Sequence, residues 1–186
     1  MNSATNATSL VTVAAGTLVA NDDNLTLAGN VQFDSLVTTG NLLFNSANVS
    51  IDSFDSANYG QVSFVGGANS FTVNGGNLIL NAPTISAGSD LNVNVGAGNH
   101  SLTGLNTGTG DIRITGITGT TDQNVTASGN WTYDKLTVND IDTFINNANL
   151  QGGSLSQIDV TNDVLLADGS SLTSTFIDIA AGDDIS

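Results

Sequence analysis

The sequence predicts an all-β fold of the β-solenoid type, in which short strands wind around one narrow core. Apolar residues recur in doublets with one residue between them, turn-forming residues end each doublet, and the pattern continues along almost the whole chain. A spacing of two places both members on one side of a strand, and nearby Gly, Asn, Asp or Ser keeps the strand short. The doublets and one triplet are Leu25/Leu27, Val31/Phe33, Val49/Ile51, Val62/Phe64, Phe71/Val73, Leu78/Leu80, Leu91/Val93/Val95, Ile112/Ile114, Trp131/Tyr133, Leu136/Val138, Ile158/Val160, Val164/Leu166 and Ile177/Ile179.

The spacing of these strands predicts about nine coils of roughly 20 residues each, within the range of known solenoid repeats. At a strand spacing of ~4.8 Å, nine coils make a rod ~40 Å long. No linker interrupts the pattern, so residues 1–186 are predicted to form a single solenoid domain. The leading strands of successive coils are predicted near Leu25, Leu43, Val62, Leu78, Leu91, Ile112, Trp131, Ile158 and Ile177.

Glycine, asparagine and the single proline mark the predicted corners. Pro83 lies between two apolar segments, and a proline inside a central ladder would remove a hydrogen bond. Glycines such as Gly88 and Gly169 supply the positive φ of sharp turns. Asparagines such as Asn74 and Asn94 suit the same turns and are candidates for amide ladders between coils.

Two segments are less regular. Residues 1–20 are mostly small and carry one apolar cluster, so they are predicted to be an N-terminal cap, a strand or a disordered lead. In residues 140–153 the spacing of Ile141, Phe144 and Ile145 fits a short helical turn as well as a coil.

The charge balance is extreme: 17 acidic residues, all aspartate, face two fixed cations, Arg113 and Lys135, for a net charge of -15. The absence of Glu and the scarcity of Lys and Arg remove the residues that soluble helices need. Binding to nucleic acid or to anionic membrane surfaces requires clustered cations, so neither is an expected partner. With 39% apolar residues the chain has enough apolar content for a core, but no window is long enough for a membrane span.

The chain has no cysteine, which excludes disulfides, thiolate catalysis and cysteine-ligated metals. Residues 1–8 lack the basic and apolar regions of a secretion signal. If the protein is exported, the sequence is therefore expected to be a mature or internal part.

Short phrases of this sequence resemble the repeats of filamentous haemagglutinin-like adhesins and autotransporter passenger domains. Residues 85–91 and 179–185 share the pattern apolar-x-Ala-Gly-x-Asp-apolar, and residues 110–114 and 76–80 share a Gly-Asp/Asn-apolar-x-apolar strand entry. The resemblance implies a right-handed parallel β-helix that is exported to a bacterial surface as a stalk or adhesive surface. It transfers no binding residues, since no site motif matches.

Pairs of aspartates are the only candidates for a cofactor site. Ca²⁺ accepts carboxylate and carbonyl oxygens in flexible loops, and Asp140, Asp142, Asp22 and Asp23 are the weak candidates for such a site. Asp140 and Asp142 would share a face if they lie in a strand. Neither an EF-hand loop nor the nonapeptide of calcium-binding rolls is present, so structural turn aspartates without a cofactor are the favoured interpretation.

Polysaccharide lyases and hydrolases also use parallel β-helices, but the sequence does not favour an enzyme. Catalysis needs a base or paired carboxylates in one groove, and the candidates Arg113, Lys135 and His100 are far apart in sequence. A solenoid can bring distant residues together, but Arg113 and Lys135 lie about one coil apart only by a coarse count. His100 lies in a turn-rich stretch and is predicted to be a solvated loop residue. Trp131 and Tyr133 point to one side, either into the core, which is favoured, or onto a sugar-binding face.

The sequence thus predicts a non-catalytic structural or adhesive module of a bacterial surface or extracellular fibre. Such a rod would present polar loops to host or neighbouring-cell glycans, to proteins or to like subunits. Two alternatives stay open: a filament subunit that stacks head to tail through its unpaired end strands, and a glycan-active enzyme.

Overall fold

The computed structural model of the chain describes residues 5–7, 11–12, 17–21, 25–32, 35–38 and 40–186. These residues form β-strands of two to 19 residues and one turn of 3-10 helix, Ser56–Asn58. The strands are β1 (Thr5–Ala7), β2 (Val11–Thr12), β3 (Thr17–Asn21), β4 (Leu25–Gln32), β5 (Ser35–Thr38), β6 (Leu42–Ile51), β7 (Phe54–Asp55), β8 (Val62–Val65), β9 (Ala68–Val73), β10 (Leu78–Asn81), β11 (Thr84–Ile85), β12 (Asp90–Val95), β13 (Gly98–Thr103), β14 (Ile112–Gly116), β15 (Gln123–Ile141), β16 (Thr143–Val160), β17 (Val164–Leu166), β18 (Ser171–Thr173) and β19 (Phe176–Ala181).

All strand pairings within the described ranges are parallel, and the two strands of each pair lie about one turn apart along the chain. One inward-facing stack runs through the molecule, and its successive members are one turn apart. Its members are Val31, Val49, Phe71, Val93, Ile114, Val138, Ile158 and Ile179. The predicted parallel β-solenoid is therefore confirmed, and it has about seven turns, or ~34 Å of axial length at ~4.8 Å per turn.

The predicted count of nine coils is too high because one turn carries apolar doublets on more than one face. Strand β10 pairs with β13 one turn later, so Leu91 in β12 belongs to the same turn as Leu78. Trp131 likewise falls within the turn that leads from Ile112 to its partner Leu136. In β6 the inward residues are Leu42 and Phe44, so the predicted leading residue Leu43 faces outward.

The described parts of the two less regular segments also belong to coils. Within residues 1–20, β1 and β2 pair with β4, and β3 pairs with β5. Residues 143–153 belong to strand β16, which corresponds to the coil interpretation and not to a helical turn. Asp22, Asp23 and Phe33 lie outside the described residues.

Aromatic side chains fill the core near the N-terminal turns. Phe44 stacks on Phe64 with ring centroids 5.0 Å apart, and Phe71 packs edge-on against Phe44 and Phe54 at 5.5 and 4.9 Å. Such pairs contribute about 0.5–1.5 kcal/mol beyond the area that they bury. The aromatic cluster thus joins two successive turns, with Phe44 and Phe54 in one and Phe64 and Phe71 in the next.

Trp131 and Tyr133 are buried, which confirms the core interpretation of this doublet. The Trp131 indole Nε1 donates to the Ser128 carbonyl at 2.8 Å. The Tyr133 hydroxyl lies 2.9 Å from Ser156 Oγ, and burial raises the pKa of Tyr133. Both polar atoms therefore have partners, as buried polar groups require.

The corners contain the residue types that the sequence predicts there. Pro83 lies in the corner between β10 and β11, and Gly88 and Gly169 have positive φ.

Side-chain hydrogen bonds join neighbouring coils, as predicted, but some of the asparagines that form them differ from those predicted. Asn94 donates to Thr72, and asparagine pairs form between Asn48 and Asn30, Asn124 and Asn99, and Asn149 and Asn130.

The last turn leaves apolar side chains at one end of the rod. Phe176, Ile177 and Ile185 are 70%, 49% and 54% exposed. Among the described residues, β18 and β19 pair only with β16, so their far edges are unpaired. No helix in the described ranges is long and apolar enough to cross a membrane.

Candidate functional site

A polar groove of about 380 Å³ brings together the two fixed cations of the chain. We name it the Arg113 groove. Arg113 and Lys135 are far apart in sequence, but β14 pairs with β15 and places them on neighbouring strands. The groove is lined by Asp90, Asn92, Asp111, Ile112, Arg113, Lys135 and Thr137.

Apart from the buried Ile112, the groove is built from outward-facing side chains two residues apart on β12, on β15, and on β14 with Asp111, the residue that precedes it. Their alternating partners, such as Leu91, Ile112 and Leu136, face the core. Neighbouring members of a row are ~4.8 Å apart, and the two rows are separated by two residues of strand, about 6.6 Å. The first row contains Asp90, Asp111 and Lys135, and the second row contains Asn92, Arg113 and Thr137.

The first row is internally connected. Asp90 Oδ1 accepts a hydrogen bond from the Asp111 backbone N–H at 2.9 Å. Lys135 Nζ lies 3.9 Å from Asp111 Oδ2, and both side chains are about half exposed, at 50% and 45%. At that separation and exposure the ion pair contributes little to stability.

The side chains of the second row make no polar contact with the described part of the chain. Within the described residues, the side chains of Asn92, Arg113 and Thr137 form no hydrogen bond or ion pair, and Arg113 is exposed. Asn94, two residues further along β12, differs because it donates to Ser70 and Thr72. The second row therefore presents three adjacent unused hydrogen-bonding side chains.

His100 is not part of this groove, and its predicted solvated position is wrong. It lies in β13, is 2% exposed, and stacks in register between Leu78 and Val125. Its Nδ1 accepts from the Leu78 backbone N–H at 3.1 Å, so Nε2 carries the proton and donates to the Gly96 carbonyl at 3.0 Å. Because turn-forming residues flank His100, the sequence pattern did not indicate that it lies in a strand.

Burial lowers the pKa of His100 below its ordinary value of 6.5, although the Gly96 hydrogen bond acts in the opposite direction. The unfolded chain therefore takes up the proton first as the pH falls. We expect His100 to reduce the free energy of unfolding progressively below about pH 6.5, by at most about 2 kcal/mol at pH 5.

Urea unfolding of the protein and of the variant His100→Gln across this pH range measures the effect. The aspartates contribute equally to the pH dependence of both proteins. The difference between the two curves of unfolding free energy against pH is therefore the contribution of His100. Parallel curves for the two proteins would contradict a neutral, buried imidazole.

The calcium candidates occupy a corner and not a shared strand face. Asp140 lies at a register shift between β15 and β16 and has φ 57°, which breaks the alternation that would align it with Asp142. Asp142 Oδ2 accepts from the Gln123 N–H and Oδ1 accepts from Thr161 Oγ1, both at 2.9 Å. Asp142 therefore ties together three successive turns.

Within the described ranges, no three His, Cys, Asp or Glu side chains are grouped so that they could hold a metal ion. The other two calcium candidates, Asp22 and Asp23, lie outside these ranges.

A second groove, of about 420 Å³, lies beside the 3-10 helix. Tyr59 stacks on Phe54 with ring centroids 4.9 Å apart, and its hydroxyl donates to the Leu36 carbonyl at 3.2 Å. Burial, together with the Asp55 carboxylate, raises the pKa of Tyr59. The Tyr59 hydroxyl therefore already has a hydrogen-bond partner within the protein.

The sequence analysis missed four residues of the Arg113 groove: Asp90, Asn92, Asp111 and Thr137. A signal was present, because Asp90-Leu91-Asn92 and Asp111-Ile112-Arg113 repeat the order Asp, apolar, polar one turn apart. Comparison of the chain with protein-family models, curated proteins and solved structures returned no match, so the geometry of this groove and of the solenoid is what bears on function.

Proposed function

We propose that the chain is a non-catalytic structural and adhesive module of a bacterial surface or extracellular fibre. The observation that carries this proposal is the unbroken stack from Val31 to Ile179 beneath a regular, outward-facing polar sheet. The module acts as a rod that holds polar side chains at fixed spacing for contact with glycans or proteins.

The stack accounts for stiffness. Each coil buries its apolar side chains against the coils on either side, so bending the rod would separate packed layers such as Val93 and Ile114. The parallel strand ladders add backbone hydrogen bonds between turns, and these bonds also run along the axis of the rod. A net charge of -15 opposes collapse and non-specific association of such rods.

The outward face accounts for adhesion. Its side chains are mainly Asn, Ser, Thr and Gln, for example Ser70, Thr72 and Asn139. Such groups offer donors and acceptors to hydroxyl-rich partners without a large desolvation cost. The resemblance of residues 85–91 and 179–185 to haemagglutinin-like repeats supports a bacterial surface location.

A flow experiment tests the proposal. Beads coated with the full chain are passed over immobilised glycans and over epithelial cells, and beads coated with the heat-unfolded chain serve as control. We expect retention of the folded chain only, with no change in the chain length of any polysaccharide. Equal retention of both bead types, or depolymerisation of an acidic polysaccharide, would overturn the proposal.

The exposed end of the rod favours a second candidate, a self-assembling filament subunit. Head-to-tail stacking of a second copy would cover Ile177, which stacks on the buried Ser156, and would extend the parallel pairing that joins the interior turns. A tail-to-tail contact would instead place the strands antiparallel. Asp178 and Asp183 lie near this end and repel a second acidic copy, so assembly is expected to increase with salt.

Sedimentation velocity at low and high salt tests this second candidate. We expect larger species at high salt, and we expect Ile177→Ser to abolish them. Ile79→Ser, which changes an exposed residue on β10, is the matched control and should leave assembly unchanged. A monomer at every salt concentration would reject the filament.

A further inference from the structure

We propose that the Arg113 groove is a binding site for a carboxylated saccharide of the uronate type. This inference rests on the proposed adhesive function and deepens it by naming the class of ligand. In the site, the ligand carboxylate lies on the second row and the ligand hydroxyls lie on the first row.

The second row supplies the carboxylate contact. Arg113 stands between Asn92 and Thr137 in register, and within the described residues none of these three side chains has a partner. A guanidinium matches a carboxylate in shape and donates two parallel hydrogen bonds to it. The Asn92 amide and the Thr137 hydroxyl add donors on either side of the same position.

The first row supplies acceptors for hydroxyl groups. Asp90 uses Oδ1 for the Asp111 N–H, and Asp111 directs Oδ2 toward Lys135. The second oxygen of each carboxylate has no hydrogen bond to the described part of the chain. A saccharide with hydroxyls next to its carboxylate donates to these oxygens while it accepts from Arg113.

The local charge permits an anion in an otherwise acidic molecule. The groove holds two carboxylates and two cations, so its own charges balance. Distant aspartates are screened at physiological salt, where the Debye length is about 8 Å. A single carboxylate is therefore attracted by Arg113 at contact, although the whole chain carries -15.

The dimensions suit one or two sugar rings. The volume of about 380 Å³ lies at the lower end of the range of small-molecule sites. The three strands of the groove, ~4.8 Å apart, extend further along the rod axis than the two rows extend along the strands. The long direction follows the axis of the rod.

Isothermal titration of a galacturonate trisaccharide into the full chain tests the assignment, with a glucuronate oligosaccharide as a second probe. The methyl ester of each probe keeps the ring hydroxyls and removes the charge. We expect at least one acid probe to bind and its ester to bind about tenfold more weakly, as loss of a charged hydrogen bond predicts. No binding of either acid, or equal binding of acid and ester, would overturn the assignment.

Variants locate the site. We expect Arg113→Gln to weaken binding about tenfold, and Arg113→Lys, which keeps the charge and loses the paired donors, to weaken it less. Asn147→Asp changes the net charge by the same amount as Arg113→Gln at an exposed position on another face, and it should bind as the unaltered chain does. Circular dichroism of each variant confirms that it is folded. Unchanged affinity in Arg113→Gln would place the ligand elsewhere.

The two proposals fail in different ways. If the beads are retained but neither acid probe binds the chain, the adhesive function stands and the groove assignment falls. If the acid probe binds but the beads are not retained, the groove stands and the adhesive function falls. Cleavage of the galacturonate probe would overturn both proposals, because both describe a site without turnover.

Discussion

Replacing Trp131 with alanine is expected to lower the free energy of unfolding by about 3–5 kcal/mol. Trp131 is the largest of the fully buried side chains and is 0% exposed. It pairs with Leu150 in the next turn, and its indole N–H satisfies the Ser128 carbonyl. The alanine variant leaves a cavity inside a narrow core, and neighbouring turns cannot collapse into it without breaking their ladders.

Thr126→Ala on the same strand is the matched control, because Thr126 alternates with the buried residues Val125 and Ala127 and faces outward. Chemical denaturation of the two variants measures the difference. We expect Thr126→Ala to change the free energy of unfolding by less than about 0.5 kcal/mol. A loss of less than about 1 kcal/mol for Trp131→Ala would contradict a tightly packed core at this level.

Replacing Gly116 with alanine is the second substitution with a large expected effect. A Cβ at this position would overlap the carbonyl oxygen of Asp140 in the next turn and would lie 2.7 Å from the carbonyl carbon. The obstacle is backbone, so no side chain can rotate out of the way. We expect a loss of about 1–3 kcal/mol or more, since an added methyl group in a close-packed region forces the chain apart.

Gly75→Ala separates this steric effect from the general consequence of removing a glycine. No atom lies within 4 Å of a Cβ built on Gly75, and its φ is not in the left-handed region. Gly75→Ala should therefore be neutral or stabilise the protein by up to about 1 kcal/mol through the unfolded chain. Equal melting temperatures for the two variants would show that the turns do not approach closely at Gly116.

Much of the interior could be predicted from the sequence. Val93, Ile114 and Val138 were assigned to inward positions from their spacing alone, and all three are 0% exposed. The assignment works because the side chains of a strand alternate strictly between two faces. The corner at Pro83 follows from the missing N–H of proline for a similarly local reason.

The register between turns could not be predicted. Consecutive members of the central stack are separated by as few as 18 residues, from Val31 to Val49, and as many as 24, from Ile114 to Val138. Corner lengths differ, and several doublets within one turn look alike in sequence. This ambiguity produced the count of nine coils, and from the sequence alone Arg113 and Lys135 could be placed one coil apart only by a coarse count.

The amino-acid sequence by itself determined the type of structure: short strands, an apolar inner side, a polar outer side and an acidic surface almost without cations. Those properties depend on alternation and composition, which are local. Only the tertiary structure decided which turns are neighbours, and with it the burial of His100 and the assembly of Asp90, Asn92, Asp111, Arg113 and Thr137 into one groove. Side chains from different turns meet only after the pairing of parallel strands is set, and that pairing depends on the packing of the whole core.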